Sequence, residues 1–116
     1  MLLLHAGGEV HAGEIARGQV ESLMQQCEDQ REANIAPLRE QAVEHCIRKR
    51  RRDRAYCEEY NRTFGQRRRG AHGQMSYGMF WDLPVCEAAV AAEQYFRANP
   101  RSESFEWPDE PVFHQG

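Results

Sequence analysis

The sequence predicts a small all-α domain: three helices in an up-down-up arrangement, stapled by disulfides, with a glycine-rich loop and an extended C-terminal tail. Three observations lead there. Long stretches carry apolar residues at helical spacing. Four cysteines fall symmetrically about two suspected turns. And 116 residues bury only a modest core, the circumstance in which small domains recruit crosslinks.

Over residues 14–34, Ile15, Val20, Leu23, Met24 and Cys27 recur with the period of a first helix. Asn34-Ile-Ala-Pro37 then interrupts the pattern. Asn34 can cap a second helix with Pro37 in its first turn, and a kinked continuous helix is the alternative. The second helix is expected over 36–64, with a stripe of Leu38, Ala42, Cys46, Cys57, Tyr60 and Phe64, and with Gly65 as its terminal glycine. Its middle, Arg48 to Arg54, is polar on every face and reads as a solvated or ion-paired surface. Residues 65–81 contain Gly65, Gly70, Gly73 and Gly78 and read as a long loop. Asp82 and Pro84 suit the start of a third helix over 83–98, which Asn99-Pro100 ends. Residues 13–98 thus form one helical domain, and 99–116 an extended or flexible tail.

Composition narrows the function classes. Hydrophobic residues make up 41% and charged residues 28%, values of neither a disordered nor a membrane-embedded chain. No apolar run approaches the roughly 20 residues of a membrane span. The net charge of −3 gives no bulk attraction to nucleic acid or anionic lipid. Residues 1–12 read either as the end of a signal peptide, with Val10-His11-Ala12 as its small-residue site, or as a frayed terminus.

The cysteines are Cys27, Cys46, Cys57 and Cys86, with no C-x-x-C pair to suggest zinc or thioredoxin-type chemistry. Helical hairpins turning at Pro37 and near Ala71 and His72 place Cys27 opposite Cys46 and Cys57 opposite Cys86. That connectivity is the favoured one. On one continuous helix Cys46 and Cys57 lie about 16 Å apart, too far to bridge unless the arginine run is a turn. Each favoured bridge contributes about 3–4 kcal/mol through the unfolded chain. Disulfides imply an oxidising compartment, periplasmic or extracellular; four buried thiols in a cytoplasmic protein are the alternative. The same arithmetic sets Glu93 opposite Arg50 as an ion pair, and Asp53 near Val20 and Val90 in need of an arginine.

Four constellations remain. Met79, Phe80 and Trp81, with Phe105, Trp107 and Phe113 of the tail, form a candidate partner-binding surface; folding back onto the helices is the competing role of Trp107. Arg48, Arg50, Arg51, Arg52, Arg67, Arg68 and Arg69, flanked by Tyr56 and Tyr60, are a candidate phosphate surface, against the more ordinary solvated charged face. His72, Met75 and Met79 are a candidate Cu(I) set, against a hydrophobic lid. His45 beside Cys46 is a thiol–imidazole pair, but helix neighbours point about 100° apart and Cys46 serves better as a bridge. The expected function is therefore a non-catalytic, exported binding or accessory module with a protein partner and no cofactor. A cytoplasmic nucleic-acid-associated protein is second and a copper-handling protein third.

Overall fold

Between Val20 and Arg50 the chain holds no glycine and is dominated by Glu, Gln, Ala, Leu and Arg, which lose little on entering a helix. The computed structural model describes residues 13–66, 68–69, 72–73, 75–76 and 78–107. In it this stretch is one helix, α1 (Val20–Arg50), with Pro37 inside it. The expected turn at Pro37 does not form. Proline removes the N–H that would reach the Ala33 carbonyl, but Ala33 and Pro37 both face solvent, where water replaces that bond. Glu32 and Arg39 form an ion pair at 2.6 Å from either side of the proline.

The chain turns at the arginine run instead. Arg51 adopts a left-handed φ of 58° and ends α1. Asp53, in extended backbone, caps α2 (Arg54–Tyr60) by accepting the Tyr56 N–H at 2.9 Å. Asp53 is therefore a capping residue rather than a buried charge awaiting an arginine. Two short strands follow, β2 (Arg68–Arg69) and β3 (Met75–Ser76), antiparallel with Arg68 opposite Ser76. They lie within the segment read from sequence as loop. Helix α3 (Pro84–Ala98) begins with proline at its first position, and Leu83, not Asp82, occupies the cap.

The chain is organised as two compact units. One comprises residues 1–30 and 81–116, the other 31–80. In the first, β1 (Gly13–Ala16) pairs antiparallel with β4 (Ser104–Trp107), Gly13 opposite Trp107 and Ala16 opposite Ser104. Strand β1 replaces the helix start that the sequence suggested, and β4 lies within the segment read as an extended or flexible tail. Ile15 and Trp107 bury with Ala88, Ala92 and Phe96 of α3. Arg17 holds the far end of α3: its guanidinium donates to the Ser102 and Asn99 carbonyls and lies 4.7 Å over the Phe96 ring. In the second unit Val43, Cys46 and Cys57 form the core, packed by Ile47 and Tyr56.

All four cysteines are bridged, but not in the favoured connectivity. The bonds are Cys27–Cys86 and Cys46–Cys57, with Cα separations of 4.7 and 5.7 Å. Moving the turn from Pro37 to Arg51 accounts for the change, since it brings Cys46 and Cys57 face to face. The sequence paired Arg50 with Glu93; in the structure Arg50 stacks on Tyr60 within the second unit, and Glu93 faces Arg97 at 3.9 Å within the first. The chain-entropy model gives about 4 kcal/mol for the 59-residue separation and about 3 kcal/mol for the 11-residue one. Urea unfolding of Cys27→Ala/Cys86→Ala should therefore show the larger loss, and Cys46→Ala/Cys57→Ala the smaller.

Candidate functional site

Two surface features of the second unit bring chemistry-bearing residues together: the turn between α1 and α2, and a groove beside α1. The turn carries Arg48, Lys49, Arg50, Arg51 and Arg52, all exposed. Three of them complement the partial negative charge at the C-terminus of α1. Among the described residues none of the five forms an ion pair with a carboxylate. Tyr56 and Tyr60, four residues apart on α2, stack with ring centroids 6.1 Å apart and planes 14° apart. The Arg52 guanidinium lies 3.9 Å over Tyr56, and that of Arg50 lies 4.4 Å over Tyr60 and donates to its hydroxyl. Tyr60 nonetheless keeps 56% of its surface exposed. Cation–π contacts at such exposed sites are worth about 0.5–1 kcal/mol each.

Arg54 behaves differently from its neighbours in the run. As the first residue of α2 it reaches back to α1, meeting Glu40 at 3.1 Å, Glu44 at 2.6 Å and, on its own helix, Glu58 at 3.3 Å. The hydrogen bond from Arg54 is the main cause that holds the Glu40 carboxyl below the ordinary carboxylate range, with a further hydrogen-bond contribution from Glu44. Those three carboxylates are thereby committed within the unit, and the five cations of the turn face outward without them.

The groove has a volume of about 620 Å³ and lies between α1 and the residues that flank the β2–β3 hairpin. Leu38, Gln41, Ala42, Glu44, His45 and Arg48 of α1 line it together with Phe64 and Met79. Met79 is 37% exposed. Its backbone is held in place: Met79 N–H donates to the Gly65 carbonyl at 2.9 Å. Arg31, only 2% exposed, donates from Nε to the Met79 carbonyl at 2.7 Å and from Nη2 to the Gly65 carbonyl at 3.1 Å. Gly65 has φ +84°, and a Cβ there would sit 2.9 Å from Ile35 Cγ2, so only glycine fits.

The other sequence candidates distribute differently. Trp81 packs on the buried Cys27, Val85 and Cys86 of the first unit, and Met79 lines the groove of the second. Trp107, 7% exposed, is part of the β1–β4 and α3 core, and the half-buried Phe105 packs against it. Phe80 is half-buried with φ 67°. Phe113 and Arg67 lie outside the described residues, and so do residues 1–12 with the suspected cleavage site. Arg68, Arg69 and Met75 belong to the backbone of β2 and β3. His72, of the candidate Cu(I) set, is exposed. Cys46 is bonded to Cys57, so the His45–Cys46 pair has no thiol to activate. Sequence reasoning missed Arg31 entirely; an arginine on the inward flank of an apolar stripe was the available signal.

Compared with protein-family models, curated proteins and solved structures, the chain gives no match.

Two outcomes check this geometry. Arg31→Lys should destabilise by about 2–3 kcal/mol in urea unfolding, because a point ammonium cannot span both carbonyls, each a charge-assisted bond worth roughly 1.5–3 kcal/mol. The depressed Glu40 pKa is present only in the folded protein, so it contributes stability above the unfolded value, lost as pH falls through the folded one. An NMR titration should find Glu40 returned toward the ordinary range in Arg54→Gln.

Proposed function

We propose that this protein is a non-catalytic binding module of an oxidising compartment, periplasmic or extracellular, that docks an acidic protein partner through the α1–α2 turn. The observation that carries the reading is the set of five cations with no carboxylate partner among the described residues, mounted on a turn that a disulfide closes. In a chain of net charge −3 such a patch is a local inversion of sign. It steers association over about a Debye length, roughly 8–10 Å at physiological salt.

The compartment rests on the sulfur chemistry. Both bridges need an environment in which thiols are not kept reduced. Among the described residues no helix is long and apolar enough to cross a membrane.

Two details favour a carboxylate-bearing partner over single-stranded nucleic acid. Base stacking needs free aromatic faces; Tyr56 and Tyr60 engage each other and two guanidiniums, so a stacking base has to compete with those contacts even at the 56% exposed Tyr60. The outward edges of those guanidiniums remain as forks for carboxylates. The stacking also pre-orders two long side chains, which lowers the entropy lost on docking.

Binding to immobilised poly-glutamate, followed across ionic strength, tests the reading. The protein should bind at low salt and release as salt rises. Arg50→Gln/Arg52→Gln should weaken binding about two- to thirtyfold, the loss expected for two rim charges of about 0.2–1 kcal/mol each. An oligothymidylate bound more tightly than poly-glutamate, or a double variant that binds like the parent, would sink the proposal.

A further inference from the structure

We infer that the groove beside α1 is a binding site for a single-chain anionic amphiphile, with the chain along the apolar walls and the head group at Arg48. The inference is independent of the docking turn, although Arg48 belongs to both.

The register of α1 supplies the polarity of the site. Leu38, Ala42, His45 and Arg48 recur at spacings of four, three and three, so they share one flank of the helix. Read from the N-terminal side, that flank changes from apolar to cationic over ten residues, about 15 Å at helical rise. Phe64 and Met79 line the same groove and extend its apolar portion. A molecule that satisfies this lining has a hydrocarbon body and one anionic end.

The charge at the cationic end is not cancelled from within. Glu44 also borders the groove, but its carboxylate is held by Arg54 at 2.6 Å. Arg48 has no carboxylate partner among the described residues, so its guanidinium can take a carboxylate, sulfate or phosphate head as a fork. Backbone groups in the Phe64–Met79 wall are already used, through the Gly65–Met79 bond and Arg31. The Gly65 and Met79 carbonyls and the Met79 N–H are thus engaged within the protein, and apolar contact together with the head-group charge is the means of recognition.

The wall is also prepared in advance. Gly65 and Met79 are fixed by hydrogen bonds that do not depend on any ligand, so Met79 is displayed rather than recruited. Its flexible thioether suits chains of varying shape. The volume of about 620 Å³ lies within the range of small-molecule sites.

The probes are decanoate, dodecanoate and dodecanol, each held below its micelle threshold. Calorimetry and the Met79 methyl resonance are followed on the full chain. Dodecanoate should bind saturably and perturb Met79. It should bind about four- to sixteenfold more tightly than decanoate, at up to 0.8 kcal/mol per methylene, and more tightly than dodecanol. Arg48→Gln should weaken dodecanoate about fivefold, the equivalent of one exposed pair, and leave dodecanol unchanged. Leu38→Asp, checked for retained fold by circular dichroism, should abolish binding of both. Arg50→Gln/Arg52→Gln should bind dodecanoate like the parent even if it no longer binds poly-glutamate, which separates this site from the docking turn. Equal affinity for dodecanoate and dodecanol, no effect of Arg48→Gln, or a groove that takes an acidic amphipathic peptide but not dodecanoate would overturn the assignment.

Discussion

The bond between Cys46 and Cys57 is the constraint on which the second unit depends. It fixes where a 31-residue helix stops and how the chain leaves it. A run of arginines would by itself extend a helix almost as well as alanine does. With its ends tied, the run has to reverse within a few residues. Arg51 then accepts a left-handed backbone, which costs a non-glycine residue about 1 kcal/mol or more. Asp53 restarts the helix, and Arg54 returns to the glutamates of α1. The aromatic stack and the outward cations are by-products of that reversal, because α2 places Tyr56 and Tyr60 beside the residues that turned.

Arg31 is the polar counterpart of that covalent constraint. Removing a guanidinium from water is expensive, and several well-formed bonds are needed to offset it. Here the acceptors are backbone carbonyls at 2.7 and 3.1 Å, from residues 14 positions apart in sequence. The arrangement closes the ends of a segment that has little apolar surface of its own. Ile35, fully buried one turn further along α1, packs beneath Gly65 and shares the task.

Much of the secondary structure was legible, and the errors share one origin. Helix α3 was readable because its proline, its alanine-rich inner face and its terminal asparagine agree with one another. That all four cysteines pair was also legible, from their number and the absence of a metal spacing. The connectivity was not, because it depends on the location of one turn. Pro37 was the conspicuous breaker, yet its lost bond falls on a solvated face and the helix continues through it. The true turn was marked by a weaker sign, a stretch polar on every side with an aspartate three residues before Tyr56. Strands β1 and β4 were hidden because four residues give too few alternations to outweigh a helical pattern. Of the candidate sites, Arg48, Arg50, Arg51, Arg52 and Met79 are exposed. Trp107 is buried, because β4 carries it into the core, and Phe105 is half-buried beside it. The groove is visible only after folding, because Phe64 and Met79 approach Leu38 from far along the chain.

The exposed arginine turn is also a natural target for proteases that cut after basic residues, since such loop tips are where chains are most often nicked. A single scission between Arg50 and Arg52 would not release a fragment. Cys46 on one side and Cys57 on the other remain covalently joined, and Cys27–Cys86 spans the same cut. The cleaved protein would persist as two chains held in one particle, with new termini where the charges are densest.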